Sequence, residues 1–572
     1  MNEKTSSSLI DLLRPYWGWV LLLTVLTVVA NGFNLIVPEI TSHAIDAYTG
    51  HTLVIPTVII EFFAVTVGIL IFTFLQTIVQ TYASEQVARD LRNKLAGKIS
   101  VQDYATIEDV TPAKLLTNLT SDIDAVKTFI SMAIASIISS VFLIIGACAL
   151  LLYIDWRLAL AVIVVLPVIA VSFYVVLGRV RKLFTQAQEV LDWLNKVISE
   201  SILGASLIRL LDSEKAEFDK FVQASGASRA LGLQIIGYFA LLIPIITFVT
   251  NFAVLIILSL GGYFVIHSSM SLGNFTAFNN YLIILIFPII IIGFMSNVIA
   301  QASASYARIT EVLNREDAKD TGTLTNELTG AIEVKEVSVH YGERKALADV
   351  SFSIQPRTKN AIIGPTAAGK TQLLYLLTGL LKPTAGLVEY DNEPIDSYNK
   401  VRLHEQIGFV FQDSIVFNLT LRENIAFSNT VKDEDLQKAI DTAELQDFIS
   451  SLPQGLDTVV SERGTSLSGG QKQRIMLARA LALNPKILLL DDFTARVDTN
   501  TEHKILANVA QNYPDLTLIS VTQKIAPIEN YDQIIVLMEG EVLAIGTHKE
   551  LMHISPEYVQ IYDSQKSTES YE

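Results

Sequence analysis

Six long apolar stretches in the first half of the chain constrain its fold more than any other feature. A helix that crosses the hydrocarbon core of a bilayer needs about 20 mostly apolar residues, and each stretch reaches that length. Hydrophobic residues make up 51% of the 572 residues and the mean hydropathy is +0.42, a combination that excludes an ordinary soluble enzyme. We therefore predict six membrane-spanning helices, at residues 18–38, 53–80, 130–153, 158–178, 234–266 and 275–299.

Lysine and arginine are concentrated in two of the loops between these stretches. Basic loops stay on the cytoplasmic side of a membrane, so we expect both loops, both termini and the C-terminal region to be cytoplasmic in a multi-pass protein of the cell membrane. The opposite loops are nearly free of basic residues, with Arg157 as the exception. The basic residues are Arg89, Arg92, Lys94, Lys98, Lys114 and Lys127 in one loop, and Arg179, Arg181, Lys182, Lys196, Arg209, Lys215, Lys220 and Arg229 in the other.

The two basic loops have helical spacing and few helix-breaking residues. We expect the spanning helices to continue through them, and two soluble inserts are the alternative. A polar, glycine-containing stretch at 313–330 separates this half from a region that alternates strand and helix patterns. The sequence therefore predicts a transmembrane domain at 1–312, a linker at 313–330 and a soluble α/β domain at 331–572. The polar tail "DSQKSTESYE" is predicted to be disordered.

The charge balance and the cysteine content exclude other classes of protein. The net charge is −16, from 42 basic and 58 acidic residues, which argues against a nucleic-acid partner. Cys148 is the only cysteine, so the chain has no internal disulfide and no cysteine-based metal site. Its apolar surroundings are typical of a small packing residue.

The stretch "NAIIGPTAAGKTQLL" has the spacing of a phosphate-binding P-loop, with Gly364, Gly369, Lys370 and Thr371 at the key positions. An apolar strand precedes it and a helix pattern follows, as this motif requires. We expect Lys370 to contact the β- and γ-phosphates and the Thr371 hydroxyl to bind Mg²⁺. The nucleotide-binding candidates of this loop are Gly364, Thr366, Ala367, Ala368, Gly369, Lys370, Thr371 and Gln372.

Two further stretches complete a nucleotide site. "ILLLDD" indicates a buried strand that ends at Asp491, a candidate magnesium ligand, although any buried parallel strand shares its apolar pattern. "LSGGQ" places two glycines after Ser468 at a predicted helix start, an arrangement suited to an anion. A glycine-rich turn before an amphipathic helix is the alternative. The candidates of this second stretch are Ser468, Gly469, Gly470 and Gln471.

Taken in order, these motifs resemble those of ATP-binding cassette (ABC) exporter half-transporters, and the resemblance extends over nearly the whole chain. It implies six transmembrane helices with long cytoplasmic extensions, followed by one α/β P-loop nucleotide-binding domain that takes ATP and Mg²⁺. Tyr341 matches the aromatic residue that stacks on adenine, and Gln412 in "GFVFQDS" matches the Q-loop glutamine, a further magnesium ligand. The stretches "TPAKLLTNLTSDIDAV" and "ISESILGASLIRLLDSE" resemble the two cytoplasmic loops that touch the nucleotide domains.

Three departures from the family pattern fall at one site. Asp492 stands where the family has a catalytic Glu, and its side chain is shorter by one C–C bond, roughly 1.5 Å. Gln523 replaces the switch His, and unlike an imidazole its amide cannot take up a proton near neutral pH. The stretch "ARVD", from Ala495 to Asp498, replaces the usual "SALD". The combination resembles the degenerate half of a heterodimeric exporter, and a site that still turns over with tolerated variants is the alternative.

The resemblance implies a subunit that couples ATP binding and hydrolysis to outward transport of amphipathic compounds, as in multidrug-type exporters. Its partners would be a second half-transporter with the consensus Glu, the lipid bilayer and an amphipathic small molecule, without nucleic acid. The alternatives are export of a lipid, a peptide or a small thiol, or an ATP-gated channel or regulatory membrane protein. Polar residues within the predicted spans are candidates for substrate contacts, namely Glu61, Asn251, Asn279, Asn280 and Asn297.

Overall fold

The computed structural model describes residues 9–317, 322–341, 344–428, 430–461 and 464–569. The chain divides into two compact units. The first consists of Met1–Val101 and Val110–Glu316, and the second of Gln102–Asp109 and Asp317–Glu572. Residues 318–321 of the predicted linker and the last three residues of the chain lie outside the described residues.

Within the described residues, six helices are long and apolar enough to cross a membrane, and each overlaps one predicted span. They are α1 (Leu9–Thr49), α2 (Ile55–Ser100), α4 (Pro112–Ile154), α5 (Trp156–Leu203), α7 (Glu214–Ile266) and α8 (Leu272–Leu313). Two short helices, α3 (Tyr104–Val110) and α6 (Ala205–Leu210), lie between them in the chain. The 46 residues of α2 span about 70 Å at a rise of about 1.5 Å per residue. The helices therefore continue beyond the apolar stretches, as predicted.

Helices α1 and α8 are joined by polar contacts in the first unit. Tyr281 of α8 is buried, and its hydroxyl donates to the carbonyl oxygen of Leu35 at 2.9 Å, within one turn of Pro38. At the start of α8, the backbone N–H of Gly273 donates to Asp46 Oδ1 at 2.7 Å. A Cβ atom on Gly273 would lie 2.1 Å from the carbonyl oxygen of Ser42. The two helices therefore approach so closely that only glycine fits.

The second unit contains two β-sheets. An antiparallel sheet has the strand order β2-β1-β4-β5, with β1 (Ile332–Tyr341), β2 (Arg344–Ile354), β4 (Ala385–Tyr390) and β5 (Glu393–Pro394). A larger sheet has the order β10-β9-β3-β8-β7-β6, and only β10 runs antiparallel in it. Its strands are β3 (Lys359–Ile363), β6 (Ile407–Val410), β7 (Ile487–Asp491), β8 (Thr517–Val521), β9 (Gln533–Met538) and β10 (Glu541–Gly546).

Helices cover the larger sheet, and this explains why strands inside it are buried on both faces. Every residue of β7 and β8 is buried. The helices of this unit after α8 are α9 (Lys370–Leu377), α10 (Lys400–Glu405), α11 (Leu421–Ile425), α12 (Asp433–Thr442), α13 (Gln446–Ser450), α14 (Gly469–Leu481), α15 (Thr499–Asn512), α16 (His548–Ile554) and α17 (Pro556–Glu569). Six long apolar helices followed by an α/β unit confirm the predicted fold class.

Two segments of the second unit bear on the sequence-based expectations. In the first basic loop, Gln102–Asp109 groups with this unit, and the stretch at 111–126 begins two residues after it. The ring of Tyr104 lies 5.3 Å from that of Tyr375 in α9. The prediction of a disordered tail was wrong for its described part, because α17 continues to Glu569. Apolar residues before the polar tail pack on the core and hold this helix.

Candidate nucleotide site

The carboxyl ends of the five parallel strands meet at one edge of the larger sheet. Gln412 follows β6, Asp491 ends β7, Gln523 follows β8, the P-loop follows β3, and Glu539 follows β9. Ligands of open α/β sheets bind in the crevice at this edge. A cavity of about 530 Å³ lies there, a volume in the range of small-molecule sites.

Most of the predicted site residues line this cavity, although they come from distant parts of the chain. They are Tyr341, Thr366, Ala367, Ala368, Gly369, Lys370, Thr371, Gln372, Gln412, Asp491, Asp492 and Gln523. Gly364 is not among its lining residues, and neither are the four residues of the "LSGGQ" stretch, Ser468 to Gln471, which we call the signature stretch. The predicted residues therefore form two sets, one in the cavity and one at the start of α14.

The P-loop needs glycine at two positions because neighbouring carbonyl groups come close to its backbone. A Cβ atom on Gly364 would lie 1.9 Å from the carbonyl oxygen of Leu537. Gly369 has a φ of +96°, and a Cβ atom there would lie 2.7 Å from the carbonyl oxygen of Ala346. Gly369 also precedes the first residue of α9. The loop therefore leads directly into a helix N-terminus, where backbone N–H groups favour phosphate.

Lys370 is held inside the P-loop itself. Its Nζ donates to the carbonyl oxygens of Gly364 at 2.9 Å and Pro365 at 2.7 Å. Burial lowers the pKa of the Lys370 ammonium, and the carboxylates of Asp492 and Asp491 oppose that shift. The ammonium therefore lies in the phosphate-binding loop, near enough to Asp491 and Asp492 for their charges to act on it.

Thr371 and Asp491 form a hydrogen-bonded pair suited to magnesium. The Thr371 hydroxyl donates to Asp491 Oδ2 at 2.9 Å. Burial raises the pKa of Asp491, whereas the bond from Thr371 lowers it. The described residues contain no cluster of three or more His, Cys, Asp or Glu side chains that could cage a metal. Mg²⁺ bound with a nucleotide needs only one or two protein ligands, and these are oxygens, so the pair fits that ion.

Asp492 adopts a left-handed backbone conformation directly after β7. This strand comes from the "ILLLDD" stretch and is called the Walker B strand below. Its φ is +46°, a region that Asp enters more readily than most residues. Its backbone N–H donates to the carbonyl oxygen of Val521 in β8 at 3.0 Å. The half-buried side chain faces the same cavity as Lys370 and Gln523. Two of the departures from the family pattern, Asp492 and Gln523, therefore share one cavity with most of the P-loop.

Tyr341 lies at the rim of the cavity. Its hydroxyl donates to Gln372 Oε1 at 2.7 Å, which fixes the ring against the first turn of α9. The side chain remains 45% exposed, so a flat ring could stack on it. Lys345, Ala346, Val521, Thr522 and Glu539 also line the cavity. The sequence analysis missed these five, although Thr522 directly precedes Gln523.

The signature stretch caps a helix at a place separate from the cavity lining. Ser468 Oγ accepts from the backbone N–H of Gln471, and Gln471 Oε1 accepts from the backbone N–H of Ser468. This capping box satisfies two of the free N–H groups at the start of α14. A Cβ atom on Gly470 would lie 2.9 Å from the carbonyl oxygen of Arg496. Glu462, Arg463 and the side chain of Ala495 lie outside the described residues.

The polar residues predicted within the spans occupy different environments. Glu61, Asn251 and Asn297 are exposed on the first unit, and Asn279 and Asn280 are half-buried. Several side-chain hydrogen bonds between the long apolar helices involve residues that the sequence analysis missed. Ser139, for example, donates to Asn31 Oδ1 at 3.0 Å. Polar residues that pair between helices have no pattern in a single sequence, because the pairing depends on packing.

Two family models match the chain, the ABC transporter transmembrane region over residues 20–289 and the ABC transporter model over residues 347–495. The chain is 30% identical to the probable multidrug resistance ABC transporter ATP-binding/permease protein YheI of Bacillus subtilis, over 97% of this chain and 96% of that protein. It is 29% identical to an ATP-dependent lipid A-core flippase of Syntrophus aciditrophicus, over 86% and 83%. Its fold is similar to a solved bacterial Atm1-family ABC exporter with ATP bound, with a TM-score of 0.79 at 24% identity, over 97% and 98% of the two chains.

Proposed function

The chain belongs to the ABC transporter family as an ATP-driven, multi-pass membrane exporter, and from that premise we propose that it is the degenerate subunit of a heterodimer. In this proposal its own cavity binds ATP and hydrolyses it poorly. Its signature stretch completes the ATP site of a different half-transporter that has Glu after its Walker B strand. The dimer exports amphipathic compounds, with both basic loops and the nucleotide-binding domain (331–572) on the cytoplasmic side.

The distribution of complete and altered motifs is the observation that carries this proposal. Asp492 and Gln523 face the cavity that contains the P-loop. Ser468 caps α14 and is not among the residues that line that cavity. A site that uses this signature is therefore built with another subunit. A homodimer would contain two altered sites, whereas a heterodimer needs only one complete site to reset the transporter.

The predicted residues of the cavity have separate parts in binding ATP. Tyr341 stacks on the adenine, and Lys370 leaves the loop carbonyls to bind the β- and γ-phosphates. Thr371 and Asp491, with Gln412, would hold Mg²⁺, which would neutralise phosphate charge when bound. Asp492 is too short to bring a base close to the attacking water, because general-base catalysis depends on a reach of about 3 Å. Gln523 can donate a hydrogen bond to the γ-phosphate without exchanging a proton.

The relatives support export, and their names point to two different classes of substrate. A relative with high coverage bears a multidrug resistance name, which favours amphipathic small molecules. Another relative is named as a lipid A-core flippase, so lipid export is the second candidate function. Stimulation of the ATPase separates the two, because a multidrug exporter responds to several unrelated amphipathic cations and a lipid exporter responds to one lipid class.

Photolabelling with 8-azido-ATP tests the altered site directly in the full-length complex. Labelling on ice without turnover reports binding, and we expect it on this chain. Trapping with vanadate during turnover reports hydrolysis, and we expect that label mainly on the partner. Equal vanadate trapping on both subunits would refute a degenerate site. Full ATPase activity of this chain purified alone would refute the heterodimer.

A further inference from the structure

The C-terminal helix α17 contacts the loop that carries Gln523 through one side chain. Gln565 Nε2 donates to the backbone carbonyl oxygen of Gln523 at 2.6 Å. The backbone N–H of Ile525 donates to Gln565 Oε1 at 2.9 Å. The donor and the acceptor of one side-chain amide therefore both bind backbone groups, and these belong to residues two positions apart. An amide can donate and accept at the same time, which neither a carboxylate nor an apolar side chain can do.

Helix α17 is anchored on the face that carries Gln565. Tyr558 is fully buried, and its hydroxyl lies 2.7 Å from His548 Nδ1 of α16. Ile561 and Tyr562 pack against the same core. Positions 558, 561, 562 and 565 follow the i, i+3, i+4, i+7 spacing of one helix face. The apolar residues therefore pack α17 onto the core. Gln565 lies on the same face of the helix and contacts the loop that carries Gln523.

The loop that Gln565 binds connects the cavity to the core. Val521, Thr522 and Gln523 line the cavity at the end of β8, and Ile525 is buried two residues later. The Lys524 N–H donates to Thr522 Oγ1 at 3.1 Å. Fixing the Gln523 carbonyl and the Ile525 N–H leaves this short segment little freedom. The direction of the Gln523 side chain follows from that backbone.

We propose that Gln565 is a positioning residue that holds Gln523 toward the γ-phosphate, so that α17 sets how well this site distinguishes ATP from ADP. This inference rests on the proposed function, in which the cavity binds ATP. Without the amide contacts, the loop samples other backbone conformations, and Gln523 meets the γ-phosphate only part of the time. ADP lacks the γ-phosphate, so its binding does not depend on Gln523.

The test measures binding of MANT-ATP and MANT-ADP, with Mg²⁺, to the full-length protein in nanodiscs. Lys370→Ala defines the background from other sites. We expect Gln565→Ala to weaken ATP binding about threefold to tenfold, the range of one net hydrogen bond, and to leave ADP binding within about twofold. Gln523→Ala should give the same pattern, and the double variant should be no worse than either single variant. Gln560→Ala is the matched control, because Gln560 is exposed on the same helix.

Each outcome separates positioning from a merely structural role. Equal losses of ATP and ADP affinity, with a lower melting temperature, would overturn the inference, as would additive effects of the two substitutions. Gln565→Glu keeps the acceptor for Ile525 and loses the donor to Gln523, so we expect it to behave like Gln565→Ala. Unchanged ATP affinity in Gln565→Ala would overturn this inference but not the proposed function. Absence of Lys370-dependent binding in the unmodified protein would overturn the proposed function and this inference together.

Discussion

The Thr371 hydroxyl donates to Asp491 Oδ2 at 2.9 Å across 120 residues of chain. The bond joins the first turn of α9 to the last residue of β7. Asp491 is 2% exposed, and a carboxylate buried this deeply must be satisfied by a polar partner. The same two oxygens are the ones expected to face Mg²⁺. One hydrogen bond therefore stabilises the fold and brings the expected metal ligands together.

Thr371→Val should show both consequences of that pair. Valine has nearly the shape of threonine but lacks the hydroxyl, so Asp491 loses its donor. We expect a loss of stability of about 1–3 kcal/mol and a weaker dependence of ATP binding on Mg²⁺. Thermal unfolding and binding titrations with and without EDTA would measure these effects. Thr499→Val, the same exchange at an exposed position of α15, is the control. An unchanged Mg²⁺ dependence would contradict the assignment of Thr371.

Ser468→Asp separates helix capping from phosphate binding at the signature. Asp caps a helix about as well as Ser, so the melting temperature should stay the same. The added carboxylate would face the γ-phosphate in the partner's site, and like charges placed together cost several kcal/mol. We expect the ATPase activity of the complex to fall about 100-fold. Thr547→Asp makes the same exchange at the cap of α16 and should leave the ATPase activity unchanged. Its melting temperature should fall, because the new carboxylate meets Glu550, which accepts from the Thr547 hydroxyl. Wild-type turnover in Ser468→Asp would refute a shared site.

Asp492→Asn tests whether this site hydrolyses ATP at all. Asn has the size of Asp and also tolerates the positive φ of this position, but it cannot act as a base. If the partner's site performs the turnover, steady-state ATPase should change by less than about twofold, whereas loss of an active general base costs about 10²–10⁴-fold. Asp492→Glu should not create a fast second site, because Gln523 still replaces the switch His. Abolished hydrolysis in Asp492→Asn would show that the site is a working catalyst.

Arg308→Ala should destabilise the first unit, because it leaves the buried carboxylate of Asp122 without its cation. Arg308 Nε donates to Asp122 Oδ2 at 3.0 Å, and the Asp122 side chain is 3% exposed. Breaking a fully buried pair costs about 3–5 kcal/mol. Because the Arg308 side chain is 45% exposed, water reaches the site and we expect about 1–3 kcal/mol.

The thermal midpoint in nanodiscs at a fixed scan rate would measure the effect of Arg308→Ala. Arg92→Ala removes an exposed pair with Asp124 and is the control, with an expected loss below about 1 kcal/mol. Equal midpoints for the two variants would contradict the importance of burial at Asp122.

The spans and the nucleotide motifs could be predicted from the sequence because their signals are local. An apolar stretch of sufficient length must be a helix inside a bilayer, since unpaired backbone groups are too costly there. The P-loop likewise has its glycines, Lys370 and Thr371 at a fixed spacing within one short stretch. The tail was mispredicted because its composition is polar, whereas Tyr558 and Ile561, just before it, provide the contacts that keep α17 folded.

The sequence by itself determined the number of spans, the order of the two regions and the residue types of the site. The tertiary structure decided which of those residues meet. The strand order β9-β3-β8-β7-β6 brings Gln412, Asp491 and Gln523 to one edge, and this order is absent from any local pattern. Docking of α17 places Gln565 on the Gln523 loop by packing alone. Local signals depend on neighbours in the chain, whereas a cavity depends on contacts between segments far apart in sequence.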